Sequence, residues 1–425
     1  MEYLKRNFST FNLHLIKTKR FKTVSIEVIF NHAIDKNNIT ITNFLSSILT
    51  FTTAKYNTKL KFSQKMENLY AARIYANNYR VGGCYVTDFE MQVLNDKYAE
   101  KGLLNDSLSF LSEIIFKPNV RDNMFDENSF NIIKSDEKSQ IERIKEDSKR
   151  YSLIKLFEHF DKTSPISFNS KGYIEDLDKI KRDNLYDFYK KFINCSDIDI
   201  YIIGDIDFDY TSKLVEKYFI FPCKKKKNDN LFLPFKKHRE KLQEFVESDN
   251  TNQSKLSIAC TIEGMTKYEK DYVLNLYNLI LGGTADSKFF KNIREKFSLC
   301  YYVSSRAFKQ DNILVITSGI TKNNYSKIMT LIDKEMKDVC EGNFSDNDIL
   351  KAKNYYLASV EEIEDSPLQL IASYYAIDKL DSDDIEVRKQ KIMEVSREDI
   401  VKLANKVYID TVYLLGGDKK WLLMK

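Results

Sequence analysis

Residues 23–30, TVSIEVIF, alternate polar and apolar side chains as a half-buried strand does. Residues 255–262, KLSIACTI, repeat the pattern. Helical spacing follows each, over about 40–53 and 267–281. A second echo comes later in each half. Residues 180–205 (IKRDNLYDFYKKFINCSDIDIYIIGD) and 395–418 (VSREDIVKLANKVYIDTVYLLGGD) each read as a polar start, an amphipathic helix, a short turn, an apolar strand and Gly-Asp. Their alignment sets Ile180 with Val395, Arg182 with Arg397, Leu185 with Ile400, Phe192 with Val407, and Gly204-Asp205 with Gly417-Asp418. The first copy needs two extra residues in its turn. The offsets, 255 − 23 = 232 and 395 − 180 = 215, keep the same order. Such self-similarity predicts two copies of one α+β domain.

Between the copies lie Pro222, the Lys224–Lys227 run, Asn228-Asp229-Asn230 and Pro234, all loop-forming or solvated. The expected division is an N-terminal domain over 1–221, a linker over 222–245 and a C-terminal domain over 246–425. Strands come early in each half. Helical spacing dominates later, over 126–160, 324–364 and 367–408, and Pro367 suits a first helical turn. This segregation predicts two α/β sandwiches, each an antiparallel-rich sheet with helices packed on one face.

A chain of 425 residues is too long for one core, which agrees with two domains. With 43% hydrophobic and 30% charged residues it reads as soluble and globular. Lys+Arg less Asp+Glu gives 66 − 62 = +4, with no clustered basic face, so a nucleic-acid partner is not expected. No apolar run approaches the ~20 residues of a membrane span, and the N-terminus MEYLKRN has no apolar core after its charges. None of the 6 cysteines forms a Cys-x-x-Cys pair. Reduced, mostly buried thiols and a cytoplasmic location are expected.

Catalytic motifs are few. His14, His32, His159 and His238 are not paired at metal-ligand spacing, and each reads as a surface or packing residue. His-Glu-x-x-His, its inverse His-x-x-Glu-His, the Gly-x-Ser-x-Gly elbow and the Walker-type phosphate loop do not occur in the sequence. The richest segment is 281–303, LGGTADSKFFKNIREKFSLCYYV. Its glycines can close one helix. A second helix is expected over about Ser287–Phe297, with Phe289, Phe290, Ile293 and Phe297 on one face and Arg294 beside them. A strand should begin near Leu299, bringing Arg294 and Tyr301 toward one end of a sheet. From the residues alone, a surface arginine and a packing tyrosine stand as the alternative to a functional pair.

Residues 281–303 resemble the C-terminal-domain segment of the pitrilysin/insulinase family of zinc metallopeptidases. Gly282, Gly283, Ser287, Phe290, Ile293, Arg294, Glu295, Lys296, Leu299 and Tyr301 agree with its pattern, while Phe297-Ser298 replace a frequent Arg-Gly. The resemblance spans essentially the whole chain and implies a mitochondrial-processing-peptidase-like fold. It also implies that the predicted helix of TNFLSSILTFTTAKY occupies the place of the family's His-x-x-Glu-His helix. Asn43 then takes the first histidine's place, Ser46 the glutamate's and Ser47 the second histidine's. The third ligand, a glutamate, would fall in the charged helix around 133–148, at Glu137, Glu142 or Glu146. Asn is a weak zinc ligand and neutral Ser is no base, so no metal or other cofactor is expected in this chain. The family includes members without the motif that pair with a zinc-bearing subunit. For this chain the resemblance implies a dimer with a catalytic His-x-x-Glu-His partner, which would hold the zinc. Its role would be to bind a peptide through Arg294, Tyr301, Gly282 and Gly283. A non-proteolytic scaffold or homodimer of the same fold remains the alternative. An independent hydrolase with unrecognised ligands is the third reading.

Overall fold

The computed structural model describes residues 1–195, 197–225, 239–249 and 253–416. His238, Pro234, the end of the lysine run and Gly417-Asp418 lie outside the described residues. Contacts group the chain into two compact units. The first takes Met1–Arg143, Asn169–Leu231 and Glu364–Ala372; the second takes Ile144–Phe168, Phe232–Ile363 and Ser373–Lys425.

The first unit is built on one sheet. Its strands are β1 (Glu2–Asn7), β2 (Asn12–Lys17), β3 (Thr23–Ala33), β4 (Arg73–Val81) and β5 (Cys84–Leu94). After a separate short hairpin of β6 (Val120–Arg121) and β7 (Met124–Phe125) comes β8 (Ile198–Gly204). The order is β1-β2-β8-β3-β5-β4. Only β2 and β8 run parallel. The helices are α1 (Lys36–Leu49), α2 (Lys59–Asn68), α3 (Leu103–Phe116) and α4 (Glu127–Glu142); α5 (Ser148–Phe160) belongs to the second unit; α6 (Ile174–Leu177), α7 (Arg182–Phe192) and α8 (Phe208–Tyr218) complete the first. Period-2 alternation turns Val24, Ile26, Val28 and Phe30 of β3 toward the helices, where they join Phe44, Leu45 and Ile48 of α1 in the core. Asp35 starts α1 by accepting a hydrogen bond from the Asn37 amide at 3.0 Å, four residues before the expected start.

The opposite face of the same sheet carries acids. Glu27 stands directly across from Glu90 in the β3/β5 register, and Asp88 lies two residues before Glu90. Glu27 and Asp88 are buried, and Asp88 Oδ1 has no hydrogen-bond partner. Burial, then repulsion from Glu90, pushes the Asp88 carboxyl up to about 8. Burial and both neighbours likewise hold Glu27 well above the usual carboxylate range. Because these folded-state values are raised, their stabilisation is complete below the unfolded value and is lost as pH rises through the folded one. The first unit is therefore expected to be more stable near pH 5 than pH 8. Asp88→Asn should flatten that slope and gain on the order of 1–3 kcal/mol at pH 8. Urea unfolding at the two pH values reads this out, and an unchanged slope in the variant would refute it.

The second unit repeats the first. Its strands β9 (Gln243–Glu247), β10 (Ser254–Ile262), β11 (Cys300–Phe308), β12 (Ile313–Ile320) and β13 (Val407–Leu415) are ordered β11-β12-β10-β13-β9. Read from the other end, β9-β13-β10-β12-β11 matches β2-β8-β3-β5-β4 strand for strand. The one parallel pair, β9 with β13, falls where β2 and β8 do. The helix after β10 has an α-helical centre, α9 (Leu274–Asn278), flanked by wider π turns at Glu269–Val273 and Leu279–Gly283. α10 (Tyr325–Cys340), α11 (Asp346–Glu361), α12 (Pro367–Leu380), α13 (Ile385–Glu394) and α14 (Arg397–Ala404) follow, α12 beginning among the residues grouped with the first unit. Leu256, Ile258 and Cys260 of β10 face a core shared with α9, α10 and α14. The other face of this sheet carries α5, whose Phe157 and Phe160 join Ala259, Val315 and Tyr413, while Ser152 Oγ lies 2.9 Å from Ser257 Oγ.

The duplication extends to side chains. Arg182 opens α7 and donates to the Phe125 carbonyl at 2.6 Å and to Glu127 at 3.2 Å, at the start of α4. Arg397 opens α14 and donates to the Phe344 carbonyl and, at 2.6 Å, to Asp346, at the start of α11. Ile180, Val395, Leu185 and Ile400 are all buried, as their alignment requires. The alignment of Phe192 with Val407 does not hold, because Phe192 ends a helix and Val407 begins a strand.

Candidate functional site

Helix α1 presents Asn43, Ser46 and Ser47 at positions i, i+3 and i+4. Ser47 Oγ donates to Glu137 Oε1 at 2.6 Å, which fixes Glu137 of α4 as the acid that meets this helix. Glu137 is only 5% exposed, so the solvated face expected for that helix is broken at this residue. Burial raises its carboxyl above the ordinary value, and the Ser47 hydrogen bond and the Lys171 charge offset only part of that. Asn43 is committed on both sides. Its Nδ2 donates to the Ser170 carbonyl at 2.9 Å, and its Oδ1 accepts from the Tyr85 hydroxyl at 2.8 Å. Ser46 Oγ donates to the Asn43 carbonyl at 2.9 Å and accepts from Asn78 Nδ2 at 2.6 Å. Asn78 Oδ1 in turn accepts from Thr87 at 2.7 Å.

This donor set does not fit zinc. It offers one carboxylate, one amide already bonded at both ends, and neutral hydroxyls, where zinc takes imidazole, thiolate and carboxylate ligands. The positions are held by a closed hydrogen-bond network joining α1, α4, β4, β5 and the loop at Ser170. The sequence carried no signal for Asn78, Tyr85, Thr87 or Ser170.

In the second unit, Gly282 and Gly283 end the α9 helix against strand β11. A Cβ at Gly282 would meet Phe289 Cδ2 and Ser305 Oγ, both at 2.7 Å, and one at Gly283 would meet Asn278 Nδ2 at 2.8 Å. Both positions therefore need glycine for close approach of backbone to neighbour. The next helical segment, Phe290–Lys296, winds as a π-helix. Phe289 and Ile293 are fully buried, but Phe297 is 49% exposed and does not join the expected stripe. The reason is at the helix end. Ser298 adopts the left-handed conformation (φ 50°), and nested bonds from the Ser298 and Leu299 amides, both 3.1 Å, reach the Arg294 and Ile293 carbonyls. Phe297 is turned out just before this reversal. Ser298→Gly should stabilise the unit by about 0.5–1 kcal/mol, since glycine takes positive φ freely. Ser298→Val should lose at least as much. A thermal melt that ranks the three the other way would contradict this.

Arg294 is exposed, with its guanidinium 4.6 Å over the Phe290 ring and no hydrogen bond or ion pair among the described residues. Tyr301 is 68% exposed. The register of edge strand β11 against β12 skips from Cys300/Ile320 to Tyr302/Gly319, so Tyr301 is the extra residue of a bulge. A bulge re-aims a side chain at a sheet edge. Gly319 makes room for the neighbouring ring, because a Cβ there would meet Tyr302 Cε1 at 2.6 Å. Tyr302 is also capped by Lys149 of α5 at 4.7 Å.

His14 and His159 sit against aromatic rings, and His14 also meets Asp199 at 3.4 Å. His14 is buried, accepts or donates at 2.8 Å with Tyr3 and stacks on Tyr201, while His159 stacks on Phe245. None of the six cysteines, all among the described residues, forms a disulfide, and Cys84, Cys195 and Cys260 are buried. No helix among the described residues is long and apolar enough to cross a membrane.

Two like α+β units, with a hydrogen-bonded network where a metal helix would sit and an exposed Arg/Tyr pair at the second sheet's edge, define a peptidase-like fold without the zinc ligands. Comparison with known proteins agrees. Residues 179–356 match the family described as Peptidase M16 inactive domain. The probable inactive metalloprotease YmfF of Bacillus subtilis is 29% identical over 421 residues, covering 97% of each chain. The fold is shared with a conserved protein from Enterococcus faecalis (TM-score 0.91, 24% identity, 98% of this chain and 99% of that one). It is also shared with the peptidase M16 inactive domain from Pseudomonas fluorescens (TM-score 0.78, 14% identity, 99% and 98%). The chain is thus similar along its length to proteins of the M16 peptidase family that are described as inactive.

Proposed function

We infer that the chain is the non-catalytic subunit of a heterodimeric zinc peptidase. It binds and positions a peptide, and a partner of the same family carrying His-x-x-Glu-His hydrolyses it. The observation that carries this reading is the contrast between the two units: Asn43, Ser46 and Ser47 are tied into a network, while Arg294 and Tyr301 stand exposed, with no side-chain hydrogen bond or ion pair among the described residues. An arginine in that setting can hold a peptide carbonyl or terminal carboxylate, and a tyrosine can donate to a carbonyl oxygen. Edge strands β4 and β11 offer free backbone groups to an extended peptide. Gly282 and Gly283 would act by letting the helix approach β11 beside the pair. Zinc is expected in the partner alone. A cytoplasmic location fits this reading, and six cysteines without a disulfide support it.

Co-expression with a His-x-x-Glu-His relative encoded beside it should give a co-purifying pair that cleaves peptides faster than the relative alone. Failure to associate, or no gain in cleavage, would sink the proposal. The second reading, a non-proteolytic scaffold or homodimer, makes Arg294 and Tyr301 incidental. In the assembled pair, Arg294→Ala with Tyr301→Ala should cut turnover about tenfold or more; unchanged turnover favours the scaffold.

A further inference from the structure

The first unit holds a cavity of about 330 Å³ between the end of β3, the start of α1 and the last turn of α7. That volume falls in the range of small-molecule sites. Three aromatic rings form part of its wall: His32, Phe188 and Phe192. His32 packs on Phe192 with ring centroids 4.8 Å apart. Its Nε2 is shut from solvent and has no hydrogen-bond partner, an omission that costs about 1–3 kcal/mol unless something supplies the bond. Burial lowers the His32 value to about 4, so the ring is neutral at pH 7. Two opposite charges complete the lining, Asp35 and Lys191. Both are exposed at the cavity's mouth, and neither has an ion-pair partner among the described residues. Asp35 is bonded only to Asn37 and Asn38, at the start of α1.

We propose that this cavity binds a free α-amino acid with a large apolar side chain. The side chain would stack among Phe188, Phe192 and His32, the ammonium group would meet Asp35, and the carboxylate would meet Lys191. One anion, one cation and an aromatic wall around one open cavity fit a zwitterion better than a simple acid or a simple amine. The site belongs to the first unit and the Arg294/Tyr301 pair to the second, and it does not depend on a role in proteolysis. Tyr85 also lines the cavity and donates to Asn43 Oδ1, so an occupant would border the network on α1.

Calorimetric titration of the full chain with L-phenylalanine tests this. Saturable binding with one site per chain is expected. N-acetyl-phenylalanine lacks the ammonium group, phenylalaninamide lacks the carboxylate, and alanine lacks the ring; each should bind about three- to tenfold more weakly. Lys191→Met should weaken phenylalanine by a similar factor and leave phenylalaninamide unchanged. Asp35→Asn keeps a good helix cap and should weaken phenylalanine but not its N-acetyl form. These selective patterns separate ligand recognition from a general loss of structure. The His32 ring proton signals should shift on binding. No saturable binding at 10-fold millimolar excess, equal affinity for the capped compounds, or variants that lose nothing would each overturn the proposal.

Discussion

Asn43→His, Ser46→Glu and Ser47→His together are expected to give this chain about one tightly held zinc ion per molecule. The geometry is in place. The Ser47 hydroxyl already meets the Glu137 carboxylate at 2.6 Å, and Asn43 lies one turn earlier on the same helix face. Two imidazoles at 43 and 47 with Glu137 supply three protein ligands, and water can take the fourth position. The metal-free variant should be less stable than the native chain. Asn43 is 7% exposed and Ser46 2%, so larger side chains overpack this region by about 1–3 kcal/mol. Zinc at a thousand times its dissociation constant should restore about 4 kcal/mol. Metal content after dialysis, with melting curves recorded with and without zinc, reads out both effects. The idea fails if no zinc is retained, or if adding Glu137→Ala to the restored helix leaves binding intact.

Arg239→Ala is expected to destabilise the second unit by about 3–5 kcal/mol. Asp410 in β13 is fully buried, and Arg239 meets it through its backbone amide at 3.0 Å and through Nη2 at 2.6 Å. The same guanidinium donates to the Phe160 carbonyl at 2.9 Å and to Thr411 at 2.8 Å, joining the end of α5 to β13. Burial alone would push the Asp410 carboxyl up, but Arg239 and Thr411 outweigh it and hold it below its usual value. Its contribution is therefore present above the unfolded value and lost as pH falls through the folded one. Truncating Arg239 leaves a buried carboxylate with only the Thr411 hydroxyl and the backbone amide of residue 239 beside it. Asp410→Asn in the Arg239→Ala background should recover about half the loss, whereas Arg239→Lys should recover little, because lysine has no fork. Urea unfolding compares the variants. An Arg239→Ala chain within about 1 kcal/mol of native would show that water compensates the charge.

The duplicated architecture was legible because hydrophobic period reports burial, and both copies bury the same strand and helix faces. Arg182 and Arg397 aligned in sequence because each clamps the start of a helix in the same way. The lack of zinc-ligand chemistry on α1 was legible from residue type at Asn43, Ser46 and Ser47. Their partners were not. Glu137, Glu142 and Glu146 look alike along the chain, and only packing of α4 on α1 selects Glu137. The exposure of Phe297 was hidden by a reversal at Ser298, a residue with no strong preference for that conformation. The bulge that frees Tyr301 depends on pairing with β12, and pairing register is not written in one strand. The acids on the far face of the first sheet read as solvent-facing positions, because alternation marks which residues share a face and not whether that face is covered.

The first unit includes residues 364–372, and Leu370 and Ile371 there are fully buried in the finished chain. Arg20 waits for Glu364, which it meets at 2.8 Å. Ribosomes make these residues 364 − 231 = 133 positions after the rest of that unit. At cellular elongation rates the delay is roughly 7–27 s. The earlier half of the protein therefore spends that time unfinished on the ribosome, and a truncation at the central linker would leave it so permanently.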